Sequence, residues 1–380
     1  MDVAETFKIP FKVLKFFGLW HQKSTSWRYR ISSFVFIFLF LHPLTYDILE
    51  LTDLISIVLT HIGAGIKTLF FMYRLHDIIK LTESLDNLLQ MCKHNENTNI
   101  KARVNFGLRA FKMYWFSGIT ASLLSGVVPI YYRKEHILPF KMYTPFDYKS
   151  NDFIFASIAI WQVVINVIGC SIDISIHMQS VIFMCYAAGL LEDLSIRLSQ
   201  ITSTVQSNAV NPTKSFSKKE IQKYYNCELL QCIRIHLKVK EFLSNIQKNF
   251  SSIIMMQGLS TSVILCTTVF VLSMKSPLKE PAIFIKLSSY LIPMMIETFL
   301  PCYFGNDVMI ASLKLSEGLF HSNWIDIDDK FKTAMKIFIE NTKKPLKILA
   351  FGIFVVNLST FTSIFNLAYT FYAVLGSVNK

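Results

Sequence analysis

The hydrophobic and polar positions of this chain sort into seven long apolar runs separated by charged stretches. They cover approximately 32–49, 54–72, 104–132, 153–189, 250–274, 282–304 and 346–375. A helix needs about 20 apolar residues to cross the hydrocarbon core of a bilayer, so each run is long enough to span. The third, fourth and seventh exceed that need and are expected to tilt or to extend beyond the membrane. Between the runs the pattern changes. Residues 191–206 and 221–247 carry apolar residues at helical spacing, among them Leu229, Leu230, Ile233 and Leu237, joined by a polar linker with Asn211-Pro212 inside it. Residues 324–345 predict another amphipathic helix. Asp326, Asp328 and Asp329 stand at its start and Lys343 and Lys344 at its end, which complements a helix dipole. Phe331, Ala334, Met335 and Phe338 give it one apolar stripe, expected to pack on cytoplasmic helices or on another subunit.

Composition supports the membrane reading. The chain is 52% hydrophobic and 17% charged, where a soluble domain carries roughly 25% charged residues. Disorder and a small disulfide scaffold are excluded. The net charge of +12 would suggest nucleic acid in a soluble chain, but its placement gives a topology instead. Twenty-nine Lys and Arg fall on the N-terminal side of the membrane and seven on the other. The positive-inside rule therefore predicts a cytoplasmic N-terminus, and the odd span count an extracellular C-terminus. That orientation is the reverse of a G-protein-coupled receptor. The third span also lacks Asp-Arg-Tyr at its inner end, and the seventh lacks Asn-Pro-x-x-Tyr. The first run follows a long basic stretch with no small-residue cleavage site near the start, so it reads as a retained anchor.

The fold expected is an all-α membrane protein with seven transmembrane helices and a cytoplasmic helical anchor region. Residues 1–30 form a cytoplasmic N-terminal segment, and 31–190 carry spans one to four with an outer ligand-pocket half. Residues 191–249 form a cytoplasmic helical loop, 250–304 carry spans five and six, and 305–345 hold the anchor helix. Residues 346–380 comprise span seven and the C-terminus. The outside loops are short, so a ligand has to be small enough to enter between spans. No His-Glu-x-x-His, phosphate-binding glycine loop or paired catalytic carboxylates occur, which argues against an enzyme and implies no cofactor or metal. Lys67, Asp173 and Glu297 lie inside spans, where charges are costly, at levels that suit pairing with one another.

The run Pro301-Cys-Tyr-Phe-Gly-Asn-Asp307 closes the sixth span. It is followed in order by Trp324, Lys344-Pro345, Phe351-Gly-Ile-Phe354, Leu358-Ser-Thr-Phe361 and Ala368-Tyr-Thr-Phe-Tyr-Ala-Val-Leu375. This series resembles the signature of the insect odorant receptors and is densest over 297–378. The short cytoplasmic loop before span five resembles an odorant-tuned receptor rather than the shared co-receptor, whose loop is much longer.

The resemblance implies an odorant-binding subunit of a heteromeric, odorant-gated, non-selective cation channel. It would form a heterotetramer with the co-receptor in the plasma membrane of the ciliary dendrite of olfactory sensory neurons. Its partners would be a volatile odorant and membrane lipid, with no nucleic acid. The resemblance makes 326–344 the anchor half of a broken seventh helix, with Trp324, Phe331, Met335 and Phe338 at the subunit interface. Residues 346–375 would line the pore, with Val374 as the gate and Ser377 as its polar neighbour. A ring of Val side chains can close a pore by dewetting. The odorant would sit in the outer half of spans two to six. Depth alone then nominates Ile62, Ile119, Ser122, Gly126, Phe155, Ile158, Gln162 and Tyr290. Two alternatives stand beside this reading. A gustatory receptor channel subunit usually ends Thr-Tyr-hydrophobic-hydrophobic-x-x-Gln-Phe, which this chain does not match, and a metabotropic seven-helix receptor would need the opposite orientation.

Overall fold

Six of the seven apolar runs fall within the residues that the computed structural model describes, which are 6–17, 19, 51–92, 98–140, 147–202 and 217–378. The first run, 32–49, lies outside them. Among the described residues the helices are α1 (Lys8–Phe16), α2 (Leu51–Met91), α3 (Thr98–Leu124), α4 (Val127–Tyr131), α5 (Asp152–Ser199), α6 (Lys218–Met274), α7 (Pro281–Phe320), α8 (Asp329–Thr342) and α9 (Leu358–Val378). Two short antiparallel strands, β1 (Leu349–Ala350) and β2 (Phe354–Val355), precede α9.

Several helices run far past the membrane. At 1.5 Å per residue the 48 residues of α5 extend about 72 Å, more than twice a hydrocarbon core of about 30 Å. The amphipathic segments on either side of the linker are therefore not separate elements. Residues 191–199 are the end of α5, and 221–247 are the first half of α6, which runs 57 residues without a break. A capping box starts α6: the Ser217 hydroxyl accepts from the Lys219 N–H, and the Glu220 carboxylate accepts from the Ser217 N–H at 2.8 Å. By length and apolar composition, Asn99–Tyr131, Asp152–Ser199, Lys219–Met274 and Pro281–Phe320 can each cross a membrane.

The core forms around α5, whose main neighbours are α7 and α3. Every residue of 174–191 is buried. Small side chains in that stretch, among them Ser175, Ser180, Ala187 and Ala188, let neighbouring backbones come close. Ionic ties flank this stretch at its two ends. Lys67 on α2 reaches Asp173 on α5 at 2.6 Å and Glu297 on α7 at 2.8 Å, which realises the pairing expected from sequence. Further in, Arg103 on α3 binds Glu192 on α5 at 2.6 Å and also Asp307 on α7.

The last apolar run, expected to be one span over 346–375, is divided. After Pro345 the chain forms the β1–β2 hairpin, and α9 starts only at Leu358. Phe351 (φ 52°) and Gly352 (φ 74°) form the turn, which the Ile353 N–H closes onto the Ala350 carbonyl at 3.1 Å, and Ala350 pairs with Phe354 across a three-residue loop. Asn357 then caps α9, its side-chain oxygen accepting from the Thr360 N–H at 2.9 Å. The hairpin is clamped on both sides. The Gln247 side chain on α6 accepts from the Leu349 N–H at 3.0 Å, and the Ser312 hydroxyl on α7 accepts from the Leu346 N–H at 2.9 Å. Gly305 lets the Val356 carbonyl lie against α7, where any Cβ would collide with it. The conspicuous Phe-Gly-Asn run of α7 thus has a packing reason for its glycine.

Candidate functional site

A cavity of about 90 Å³ opens between α2, α3, α5 and α7, in the half of the bundle that holds the start of α5 (the outer half). Its wall is mostly apolar, with a few polar groups from different helices. Tyr290 on α7 and Thr60 on α2 share a hydrogen bond between their hydroxyls. Thr60 also donates to the Ser56 carbonyl at 2.7 Å. With that proton committed, the Tyr290 hydroxyl is the donor to Thr60, and its oxygen keeps acceptor capacity toward the cavity. Asn166, Cys170 and Asp173 of α5 supply another wall, and Asp173 connects it to the Lys67 tie.

Phe140 lines one end of the cavity. Gln162 of α5 holds Phe140 by two bonds: its amide oxygen accepts from the Phe140 N–H at 3.1 Å, and its amide N–H donates to the Phe140 carbonyl at 2.9 Å. Lys286 of α7 donates to the Pro139 carbonyl at 2.5 Å, and its ammonium sits 4.7 Å from the centre of the Phe140 ring. His61 meets the same ring edge-on at 6.1 Å. Phe140 is therefore held from three helices. Just outside, at the start of α5, His136 and Arg133 both bond Asp152, at 2.8 and 3.1 Å. Those hydrogen bonds, His136 first, hold the Asp152 carboxyl below the usual carboxylate range.

Of the residues nominated by depth, Ser122 and Tyr290 line this cavity. Ile62, 38% exposed, does not line it, and neither does Ile119. Gly126 is the N-cap of α4. Phe155 is buried with Leu138 and Ala159 in a separate cluster, against which Ile158 packs. Gln162 is spent on the Phe140 backbone. Thr60, Phe140 and Lys286 were not nominated. The available signal was Lys286 itself, since a lysine within an apolar run asks for a partner.

The anchor residues have partners within the chain. Phe331, Met335 and Phe338 are buried, with Tyr225 of α6 edge-on to Phe331 and His236 of α6 edge-on to Phe338 at 5.4 Å. The stripe expected at the subunit interface is thus covered by the chain's own α6, because that helix presents the nearest matching apolar face. Ile337, on another side of α8, is 60% exposed. Trp324 packs against the core and donates to the Phe320 carbonyl at 3.3 Å. Asp328 caps α8 and accepts from the Phe331 N–H at 3.0 Å. Burial pushes the His236 imidazole down to about 4. Val374, near the end of α9, is 53% exposed. Ser377 falls in the last turn of α9, and its side chain lies outside the described residues. Among the described residues no group of three His, Cys, Asp or Glu converges to hold a metal.

Comparison with known proteins gives a consistent result. The family model for the 7tm odorant receptor matches residues 47–369. Odorant receptor 94a of Drosophila melanogaster is 22% identical over 405 residues, covering 100% of this chain and 99% of its own. Odorant receptor Or1 of Anopheles gambiae is 22% identical over 410 residues, covering 100% of this chain and 97% of its own. The structure of the olfactory receptor OR5 of Machilis hrabei in complex with eugenol superposes with a TM-score of 0.77 at 16% identity. The match covers 99% of this chain and 98% of that one.

Proposed function

This chain belongs to the 7tm odorant receptor family, and from that premise we propose that it is the odorant-binding subunit of a heteromeric, odorant-gated, non-selective cation channel. The family is one of receptors, not of enzymes. The observation that carries the reading is the small, mostly apolar cavity lined by Tyr290, Ser122 and Phe140 in a fold shared with a receptor solved in complex with eugenol. Burial of apolar ligand surface, at about 25 cal/mol per Å², supplies the affinity. The acceptor oxygen of Tyr290 gives a hydroxyl-bearing odorant one directional contact. Ser122 adds a second polar edge.

In this reading the N-terminus is cytoplasmic and the C-terminus extracellular, in the plasma membrane of an olfactory neuron's ciliary dendrite. The chain joins the co-receptor in a heterotetramer. Its α9 helices line the pore, and Val374 with Ser377 form the outer constriction. Contacts with neighbouring subunits fall to exposed apolar side chains such as Ile337 rather than to the covered stripe of α8.

Co-expression with the co-receptor tests this directly. An odorant-evoked inward current that persists under G-protein blockade is expected, and loss of the current under that blockade refutes it. Val374→Ala should raise basal leak; unchanged conduction removes Val374 from the pore.

A further inference from the structure

A second cavity, of about 200 Å³, lies apart from the first. It lies where α5, α6 and α7 meet the hairpin and the first turns of α9. Its wall is overwhelmingly apolar, which disfavours a water cluster, since each water needs two to four polar partners. Several polar side chains also border it, and among them His177 of α5 stands out. That side chain is buried beside the Glu297 carbonyl, and neither ring nitrogen makes a hydrogen bond of regular geometry. Leaving a polar group buried and unpaired costs about 1–3 kcal/mol, so its position against an otherwise greasy space asks for an occupant. Nearby, Pro301 removes the N–H that the Glu297 carbonyl would meet in a regular helix, and both residues line the cavity.

We propose that this inner cavity is a second small-molecule site, distinct from the outer one, which takes a compact apolar molecule bearing one hydroxyl. The alkyl or aryl body fills the space between α6 and α9, and the hydroxyl pairs with the His177 ring. One wall is Thr360, Ser363 and Ile364 of α9, and another is Phe354 and Val355 of the hairpin. A ligand there fits one arrangement of α9 against α7 better than another. It therefore shifts the balance between them by its difference in affinity and acts as a modulator rather than as the odorant itself. Glu297 lines this cavity and Asp173 lines the outer one, both bound to Lys67, so the two sites share a wall of three charged side chains.

The test is photolabelling of the purified full-length chain in lipid nanodiscs with 3-azioctanol, read by peptide mapping. No channel activity is needed, so the result stands apart from the proposed gating. Adducts are expected within 254–262, 298–302 and 360–367, reduced at least fivefold by excess 1-octanol and by Ser363→Trp, which fills the cavity from a tolerant position. His177→Phe keeps the shape of the wall and should weaken competition by 1-octanol several-fold, while leaving labelling by a hydroxyl-free diazirine alkane unchanged. Tyr290→Ala, in the outer cavity, should alter none of these. Three results overturn the proposal. One is absence of label in those segments, as when a neighbouring subunit fills the space. Another is label that Ser363→Trp does not reduce. The third is equal labelling by alcohol and alkane that is indifferent to His177→Phe, as for a lipid acyl chain.

Discussion

The outer and inner halves of α5 are one helix under two regimes. Along 153–168 it leaves Phe153, Ile160 and Val164 exposed and borders the outer cavity's wall, whereas along 174–191 every side chain is buried. The inner half carries small residues and is flanked by the ties of Lys67 and Arg103, which pull α2, α3 and α7 onto it. The outer half is tied through Gln162 to Phe140, while across the cavity α2 and α7 are joined by the Tyr290–Thr60 bond. The outer cavity thus lies beside the less enclosed half of α5, and the dense half supplies the fixed reference against which an odorant can push.

The comparison breaks most visibly at Lys67. Lys67→Met leaves Asp173 and Glu297 buried without a counter-charge and should cost about 3–5 kcal/mol in thermal unfolding of the purified receptor. Adding Asp173→Asn and Glu297→Gln should recover most of the loss; a receptor indifferent to Lys67→Met would mean that the inner half is not held by charge.

Gly305→Ala comes next. Its Cβ meets the Val356 carbonyl, so the hairpin must shift at a cost of about 1–3 kcal/mol. Faster proteolysis within 346–357 would report that shift, and an unchanged digestion pattern would refute it.

Tyr290→Phe probes the loose half. Losing one neutral hydrogen bond, worth about 0.5–1.5 kcal/mol, should move the half-maximal concentration of a hydroxyl-bearing odorant roughly three- to tenfold. A hydrocarbon odorant should not respond to the change.

The smallest effect is expected at His236. Below pH 6.5 an unfolded imidazole takes a proton that the buried ring refuses until about 4. Stability of the α8 contact should therefore decline as pH falls from 6.5 to 4. Hydrogen exchange in 329–342 measures this, and His236→Phe should flatten the dependence.

Much of the inner half was legible in the sequence because charge is easy to read. Lys67, Asp173 and Glu297 stand at levels that suit pairing, and Asp328 before an apolar stripe marks the start of a helix. The outer half was harder. Its helices are apolar nearly all round, so periodicity does not say which face turns to a cavity and which to lipid. Depth could select Ser122 and Tyr290 but equally selected Ile62 and Phe155, which face elsewhere. The hairpin was missed for a related reason. Phe351-Gly-Ile-Phe354 is as hydrophobic as the helix after it, and only Gly352 and the capping oxygen of Asn357 interrupt the run.

The unbroken length of α6 has a mechanical consequence. The helix is a stiff rod of about 85 Å, gripped near its middle where Gln247 holds the hairpin. Turned about that fulcrum by about 3°, its outer end at Met274, about 40 Å away, swings about 2 Å. The other end, at Lys218, travels a similar distance in the opposite direction. A nudge beside the outer cavity is thereby delivered, inverted in sign, to the far end of the rod, with no segment having to unwind or refold along the way.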